Sequence, residues 1–177
     1  MNDLLKCDMQ RYSSRRELPR FQKYYRLCGG GKKGFLYILY RILFRKYKSK
    51  NHIELSRECE IGKGLYIGHP YGITINPAAK IGCNCNIHKG VTIGQENRGK
   101  RKGTPVIGND VWIGINSTIV GNITIGDDVL IAANTFVNCD IPNHSIVFGS
   151  PCIIKTKPDC NVTEGYINRK CMDKSCS

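Results

Sequence analysis

Acidic residues are scarce in this sequence: 14 Asp and Glu stand against 27 Lys and Arg among 177 residues. The deficit is local. Residues 1–50 carry fourteen basic and three acidic side chains, +11 of the formal +13, so the rest is close to neutral and offers no broad basic face for nucleic acid. An anionic partner, where there is one, belongs to the N-terminal segment. Long apolar runs are missing too. The longest, Phe35 to Phe44, is interrupted by Arg41 and falls short of the roughly twenty residues that a membrane-spanning helix needs. Tryptophan occurs once and histidine four times, so each can be weighed singly. Cysteine, by contrast, is plentiful at ten, yet the opening MNDLLKCDMQRYSSRR has neither an apolar core nor a small-residue cleavage site. Reduced thiols and a cytosolic setting are therefore expected.

What the chain does contain is a repeat. Aliphatic residues fall every six positions at Ile61, Ile67 and Ile73, then after a two-residue slip at Ile75, Ile81, Ile87 and Ile93, and again from Ile107 through Ile113, Ile119, Ile125 and Ile131 to Val137. From Ile75 onward a small or branched residue follows four places later: Ala79, Cys85, Val91, Val111, Ser117, Ile123, Val129, Thr135. A helix would scatter this pattern around its cylinder, and a meander of hairpins needs wider spacing. A period of six fits a parallel β-helix with one short strand and one bend per hexad, three hexads making a coil, so that stacked coils bury a continuous core. Residues 53 to about 154 supply five or six coils. Glycine follows the repeat residue at 62, 82, 94, 108, 114 and 126, where a tight bend excludes a larger side chain or demands a positive φ.

The organisation expected is a basic, helical N-terminal segment (1–50), a β-helix domain (51–155) with an excursion at 95–105, and a tail (156–177) that the period does not place. In the first, GFLYILYRILFRKYKSK has helical spacing, with Phe35, Ile38, Leu39, Ile42 and Leu43 on one face; this stripe either packs on the protein or lies on an anionic membrane surface. GGGKKG at 29–34 lacks the spacing of a phosphate-binding loop and is expected to be a flexible joint. The excursion GQENRGKRKGTP is polar and basic, and its cations are placed to meet phosphates only if a nucleotide-bearing ligand binds nearby.

With GKGLYIGHPYGITINPAAKIG, then VTIG, TPVIGNDVWIG, IVGNITIGDDVLIAANTFV and IPNHSIVFGSP, the chain resembles the left-handed β-helix hexapeptide acyltransferases, and within them the serine acetyltransferase branch. The resemblance covers roughly residues 53–155. It implies a homotrimer that moves acetyl from acetyl-CoA to a hydroxyl, with active sites between adjacent coils. It also implies a histidine base in a D-H-x-x-G box, oriented by a carboxylate fifteen residues earlier. The matching positions are His69 and Glu54; Gly68 replaces the box aspartate, and Glu54 keeps the carboxylate in place of Asp. The pairing is chemically reasonable, since a hydroxyl attacks a thioester only if a neutral imidazole takes its proton while a carboxylate fixes the tautomer. Positions matching the family's CoA contacts are Gly114, Ala132, Ala133, Ser150 and Pro151, with Lys155 in reach of a phosphate; Ile115 and Cys152 replace the more usual alanines. Where serine-specific members resemble one another in an Arg-His pair, this chain has Gly103 and Thr104, which removes the obvious clamp for a serine carboxylate. Shortened relatives with basic, aromatic N-termini resemble O-acetyltransferases of surface polysaccharide and capsule pathways, and this resemblance makes a sugar hydroxyl the first expectation for the acceptor, free serine the second. A non-catalytic trimeric scaffold on anionic lipid or nucleic acid is the alternative of another class.

Each candidate has a plainer reading. His69 can be a corner residue before Pro70, and Glu58 and Glu60 compete with Glu54. His88 follows an inward Ile87 and so points outward, either to solvent or into the same cleft, as a further catalytic or substrate-binding residue. His52 and His144 are expected at the surface. Cys83, Cys85 and His88 form a C-x-C-x-x-H cluster, but Cys85 occupies an inward position and the spacing offers no fourth ligand, so no metal is expected. Trp112 is expected to pack or to touch a neighbouring subunit.

Overall fold

The computed structural model describes residues 3–28 and 34–172. The glycine-rich joint at 29–34 lies, apart from Gly34, outside the described residues. Three helices lead: α1 (Asp3–Gln10), α2 (Arg20–Cys28) and α3 (Phe35–Lys50). The strands that follow run in rotation through three sheets. The first holds β1 (Glu54–Leu55), β4 (Thr74–Ile75), β7 (Thr92–Gly94), β10 (Thr118–Val120) and β13 (Phe136–Val137). The second holds β2 (Glu60–Ile61), β5 (Lys80–Ile81), β8 (Val106–Ile107) and β11 (Thr124–Ile125). The third holds β3 (Tyr66–Gly68), β6 (Asn86–His88), β9 (Trp112–Ile113), β12 (Val129–Ile131), β14 (Ser145–Phe148) and β15 (Ile153–Thr156). Every pairing is parallel except that of β14 with β15. The result is a left-handed parallel β-helix of triangular section.

Register turns the six-residue period into columns of like residues. Leu55, Ile75, Ile93, Ile119 and Val137 stack in the first sheet. Ile67, Ile87, Ile113, Ile131 and Val147 stack in the third. All are buried, most of them completely, and at about 25 cal/mol per Å² of apolar area these columns are the main stabilising element. The glycine column beside Ile61 exists for space: a Cβ on Gly62 would lie 2.6 Å from the Gly82 carbonyl carbon, and one on Gly82 2.5 Å from the Gly108 oxygen. Of the two reasons expected for glycine there, the excluded side chain holds, since none of these three has a positive φ.

The slip after Ile67 resolves differently from its simplest reading. Ile73 is a corner residue, equivalent to Val91, Ser117 and Thr135 ahead of the next strand, and the two extra residues lie before it, in Gly68–Gly72. His69 (φ 54°) and Gly72 (φ 63°) both take left-handed conformations there, whereas the corresponding corners use one such residue each, at Gly90, Asn116 and Asn134.

Helices α1 and α2 cover the open end of the first coil, whose backbone groups have no further coil to bind. Arg26 donates to the carbonyls of Ile61 (2.7 Å) and Gly62 (2.6 Å), Gln22 to that of Leu65 (2.8 Å), and Tyr25 to that of Cys59 (2.5 Å). Asp8 accepts from the Leu65 N–H (3.0 Å) and from Arg26 Nε (2.7 Å). Burial raises the Asp8 carboxyl's pKa and the Arg26 charge opposes that rise. Breaking such a buried, fully bonded pair by removing one partner costs about 3–5 kcal/mol.

Two expectations are corrected here. The aromatic face of α3 faces the protein, with Phe44 buried against Tyr25 (5.9 Å between ring centroids) and Tyr47 stacked on Tyr24 (5.7 Å). Of the aliphatic stripe, Phe35, Ile38, Leu39 and Ile42 are exposed and Leu43 is half-buried, so most of it does not pack on this chain. The thiols are not all reduced: Cys7 and Cys171 form a disulfide across 164 residues of sequence. Spacing did not foretell the pair, because α1 and the tail meet by docking on the outside of the β-helix.

Candidate active site

The corners between the third sheet and the first form a ladder along one edge of the β-helix. Gly72 N–H donates to the Asn51 carbonyl (3.0 Å), Gly90 to Tyr71 (3.0 Å), Asn116 to Lys89 (3.0 Å) and Asn134 to Ile115 (2.9 Å). His69 stands exposed on the longest of these corners, at the lower part of the ladder. Above it, in the same row, come Lys89, then Gly114 and Ile115, then Ala132 and Ala133, and Ser150 and Pro151 at the top. Small residues there leave an open edge. Gly114 is held to glycine because a Cβ would meet the Ala133 nitrogen at 2.5 Å. The structure thus brings the residues expected to contact CoA onto the edge that carries His69. Lys155, on β15, is exposed, with its ammonium 5.6 Å from the Phe148 ring centroid.

His88 does point outward, and it is half-buried. Its ring lies 4.8 Å from that of Trp112 and 6.4 Å from that of Tyr66. It also fills the space above Gly68, where any Cβ would collide with it. The position expected to carry a carboxylate beside the histidine base is therefore glycine for a steric reason. Burial lowers the His88 pKa below 6.5, and the neighbouring His69 charge lowers it further, so the imidazole is neutral near pH 7.

Glu54 is exposed on β1, in register with Thr74. Among the described residues no hydrogen bond joins its side chain to His69. Glu60 lies on the second sheet, 3.2 Å from Lys80, which takes it away from this edge; Glu58 precedes the corner leading to that sheet. Glu54 thus lies on the first sheet and Glu60 on the second. His52 takes a left-handed corner conformation with Tyr71 against it (5.2 Å). His144 bonds to Asp128 at 2.8 Å. Cys85 is in the core as its repeat position requires, its thiol pushed up to about 12 by burial.

A model of the family described as bacterial transferase hexapeptide (six repeats) matches residues 104–139. A serine acetyltransferase of Helicobacter pylori is 36% identical over 133 residues, covering 75% of this chain and 78% of that one. This chain belongs to the serine acetyltransferase family. The crystal structure of the Brucella abortus serine acetyltransferase in complex with coenzyme A superposes with a TM-score of 0.72 at 26% identity, covering 89% of this chain and 68% of that one. That of the Neisseria gonorrhoeae serine acetyltransferase in complex with serine does so with a TM-score of 0.67, also at 26%, covering 86% and 68%. Membership makes the protein an acyltransferase built on the hexapeptide β-helix.

Against that family frame, the outer face of the third sheet is where sequence reasoning saw least. The tail runs back down this face. Asp128 accepts from the Val162 and Thr163 N–H groups (2.9 and 3.0 Å) and the Thr163 hydroxyl (2.6 Å); Tyr166 meets Trp112 (5.4 Å) and accepts from Asn86 (3.2 Å); and the Cys171 N–H donates to Asn84 (2.8 Å). Burial would raise the Asp128 pKa, but these donors and His144 together bring it below the usual aspartate value. From the other end, Arg11 and Tyr12 reach the same face. Together the two ends enclose a cavity of about 380 Å³ beginning at His88. The six-residue period gave no sign of it, because Arg11, Tyr12, Tyr166 and Arg169 lie outside the repeat.

Proposed function

We propose that this family member transfers acetyl from acetyl-CoA directly to a hydroxyl, with His69 as general base. The supporting observation is the Gly68–Gly72 corner, two residues longer than its equivalents, which carries His69 onto the edge lined by Gly114, Ala132, Ala133, Ser150 and Pro151. A neutral imidazole there removes the acceptor proton as the oxygen attacks the thioester carbon. The C–S bond then breaks and CoA leaves as its thiol, taking up a proton. Backbone N–H groups of the corner ladder are the available donors for the oxyanion. Lys155 and the cations of 98–102 are the candidates to meet the CoA phosphates.

The relatives' names favour serine as the acceptor. A sugar hydroxyl of a surface polysaccharide or capsule is the second reading, favoured by Gly103 and Thr104 standing where the serine-specific branch has its Arg-His pair. The protein works as a homotrimer in the cytoplasm, and α3, with an exposed aliphatic stripe beside Arg41, Arg45 and Lys46, rests on an anionic membrane.

Acetyl-CoA turnover against serine and a panel of sugars tests both layers. The His69→Ala variant should lose about 10²-fold or more in kcat while keeping acetyl-CoA affinity; wild-type turnover in that variant removes His69 as the base. A kcat/KM for serine of about 10⁴ M⁻¹s⁻¹ or above decides for serine.

A further inference from the structure

The cavity beside His88 has features that packing alone does not require. Its lining includes Tyr66, Trp112 and Tyr166 as an aromatic wall, and Arg11, Arg169 and Glu17 as charged groups. Arg11 is only 5% exposed, yet among the described residues its guanidinium is bonded through Nη2 alone, to Asn86 Oδ1. Its Nε and Nη1, and Nε2 of His88, are buried without a hydrogen-bond partner. Buried polar groups are almost always paired, and three orphans on the lining of one cavity mark unspent hydrogen-bonding capacity. Among the described residues no carboxylate forms an ion pair with Arg11, and Glu17 instead accepts from the Ser13 N–H at 3.0 Å. The cavity therefore has a buried cation with free donors, a second cation at Arg169, and an unpartnered imidazole nitrogen against aromatic rings.

We infer that this cavity is the acceptor subsite and that Arg11 binds a carboxylate on the hydroxyl compound to be acetylated. The inference rests on the reading of His69 as the base, whose neighbour Gly68 is covered by the His88 ring. A guanidinium with two free donor nitrogens matches a carboxylate in charge and geometry. This supplies from the N-terminal segment the clamp that Gly103 and Thr104 do not provide. His88, neutral because it is half-buried, offers Nε2 to an acceptor hydroxyl. Two sources share this chemistry: an amino acid such as serine, and a sugar carrying a carboxylate. The aromatic wall presents flat faces to the C–H groups of a pyranose ring, for which serine has no counterpart.

Trp112 is the sequence's only tryptophan, so its fluorescence reports on this cavity without reference to turnover. The test is a fluorescence titration of the full chain without acetyl-CoA, using methyl β-D-glucuronide, methyl β-D-glucoside, L-serine and ethanolamine. At least one carboxylate probe should saturate, binding about tenfold or more tighter than its counterpart without the carboxylate, the effect of a charge-assisted hydrogen bond. Arg11→Gln should abolish that preference. Because Arg11 is buried, Arg169→Gln and a circular dichroism spectrum accompany it, and the surface variant should lower the preference with the fold intact. Saturation by the glucuronide assigns an acidic sugar; saturation by serine alone assigns the amino acid. Equal affinity for probes with and without the carboxylate, or no saturation by any of them, overturns the inference. Repeating the titration with His69→Ala separates the two readings: binding should persist there whether or not His69 proves to be the base.

Discussion

His69 occupies its corner in a left-handed conformation that few non-glycine residues adopt, and this conformation places the imidazole on the outside of the coil. Glu54 is exposed on the first sheet, which follows that corner, and among the described residues its side chain is not bonded to His69. Glu54→Gln should therefore reduce kcat by less than His69→Ala does and shift the pH–rate profile, since an amide can orient the ring but not stabilise its charged form. An unchanged rate and profile would release Glu54 from the role. His88 supports a different expectation. Its pKa is lowered in the folded protein, so between that value and about 6.5 the unfolded chain binds more protons and stability rises with pH. The full contribution is present above about 6.5 and is lost as pH falls through the folded value. Urea midpoints from pH 5 to 7.5 should climb more steeply for the wild type than for His88→Gln; parallel curves would show that His88 titrates alike in both states.

Among the elements, α3 presents two chemically distinct faces. Its tyrosines and Phe44 hold it to α2 and the first coil, while Phe35, Leu36, Ile38 and Ile42 are exposed. Binding to vesicles should rise with anionic lipid and fall with salt, because each basic residue near such a surface contributes roughly 1 kcal/mol and screening removes it. Equal recovery on neutral and anionic vesicles, or none at low salt, would assign the stripe to a protein contact. This helix also shows where sequence reasoning reaches its limit. Helical spacing revealed an apolar stripe, but α3 has an aromatic face as well, and periodicity does not say which one turns inward. The β-helix was legible because inward residues recur every six positions, with a second inward place at a fixed offset between them. The tail was not, since its contacts, Asp128 with Thr163, Trp112 with Tyr166 and Cys7 with Cys171, are isolated ones that leave no period to read. Of the site, His69 was legible from its box, and His88 from its outward place after Ile87. Arg11 was not, because its partner Asn86 lies 75 residues away.

At the scale of the whole molecule, a stack of coils bonded only to their neighbours has two free ends, and each end presents unpaired carbonyls and N–H groups on which another stack can build. At one end Arg26, Gln22 and Tyr25 have already spent those groups. The helices are thus a terminator as well as a lid: they make the solenoid finite. A chain lacking residues 1–28 should lose more than the stability of the Asp8–Arg26 pair. It should also associate end to end, with an apparent size in sedimentation velocity that grows with protein concentration, whereas the intact chain keeps one size over the same range. Constant size in the truncated chain would mean that the first coil protects its own edge. If growth is seen, the N-terminal segment has a second duty besides furnishing Arg11: it keeps a self-complementary lattice from becoming a fibre.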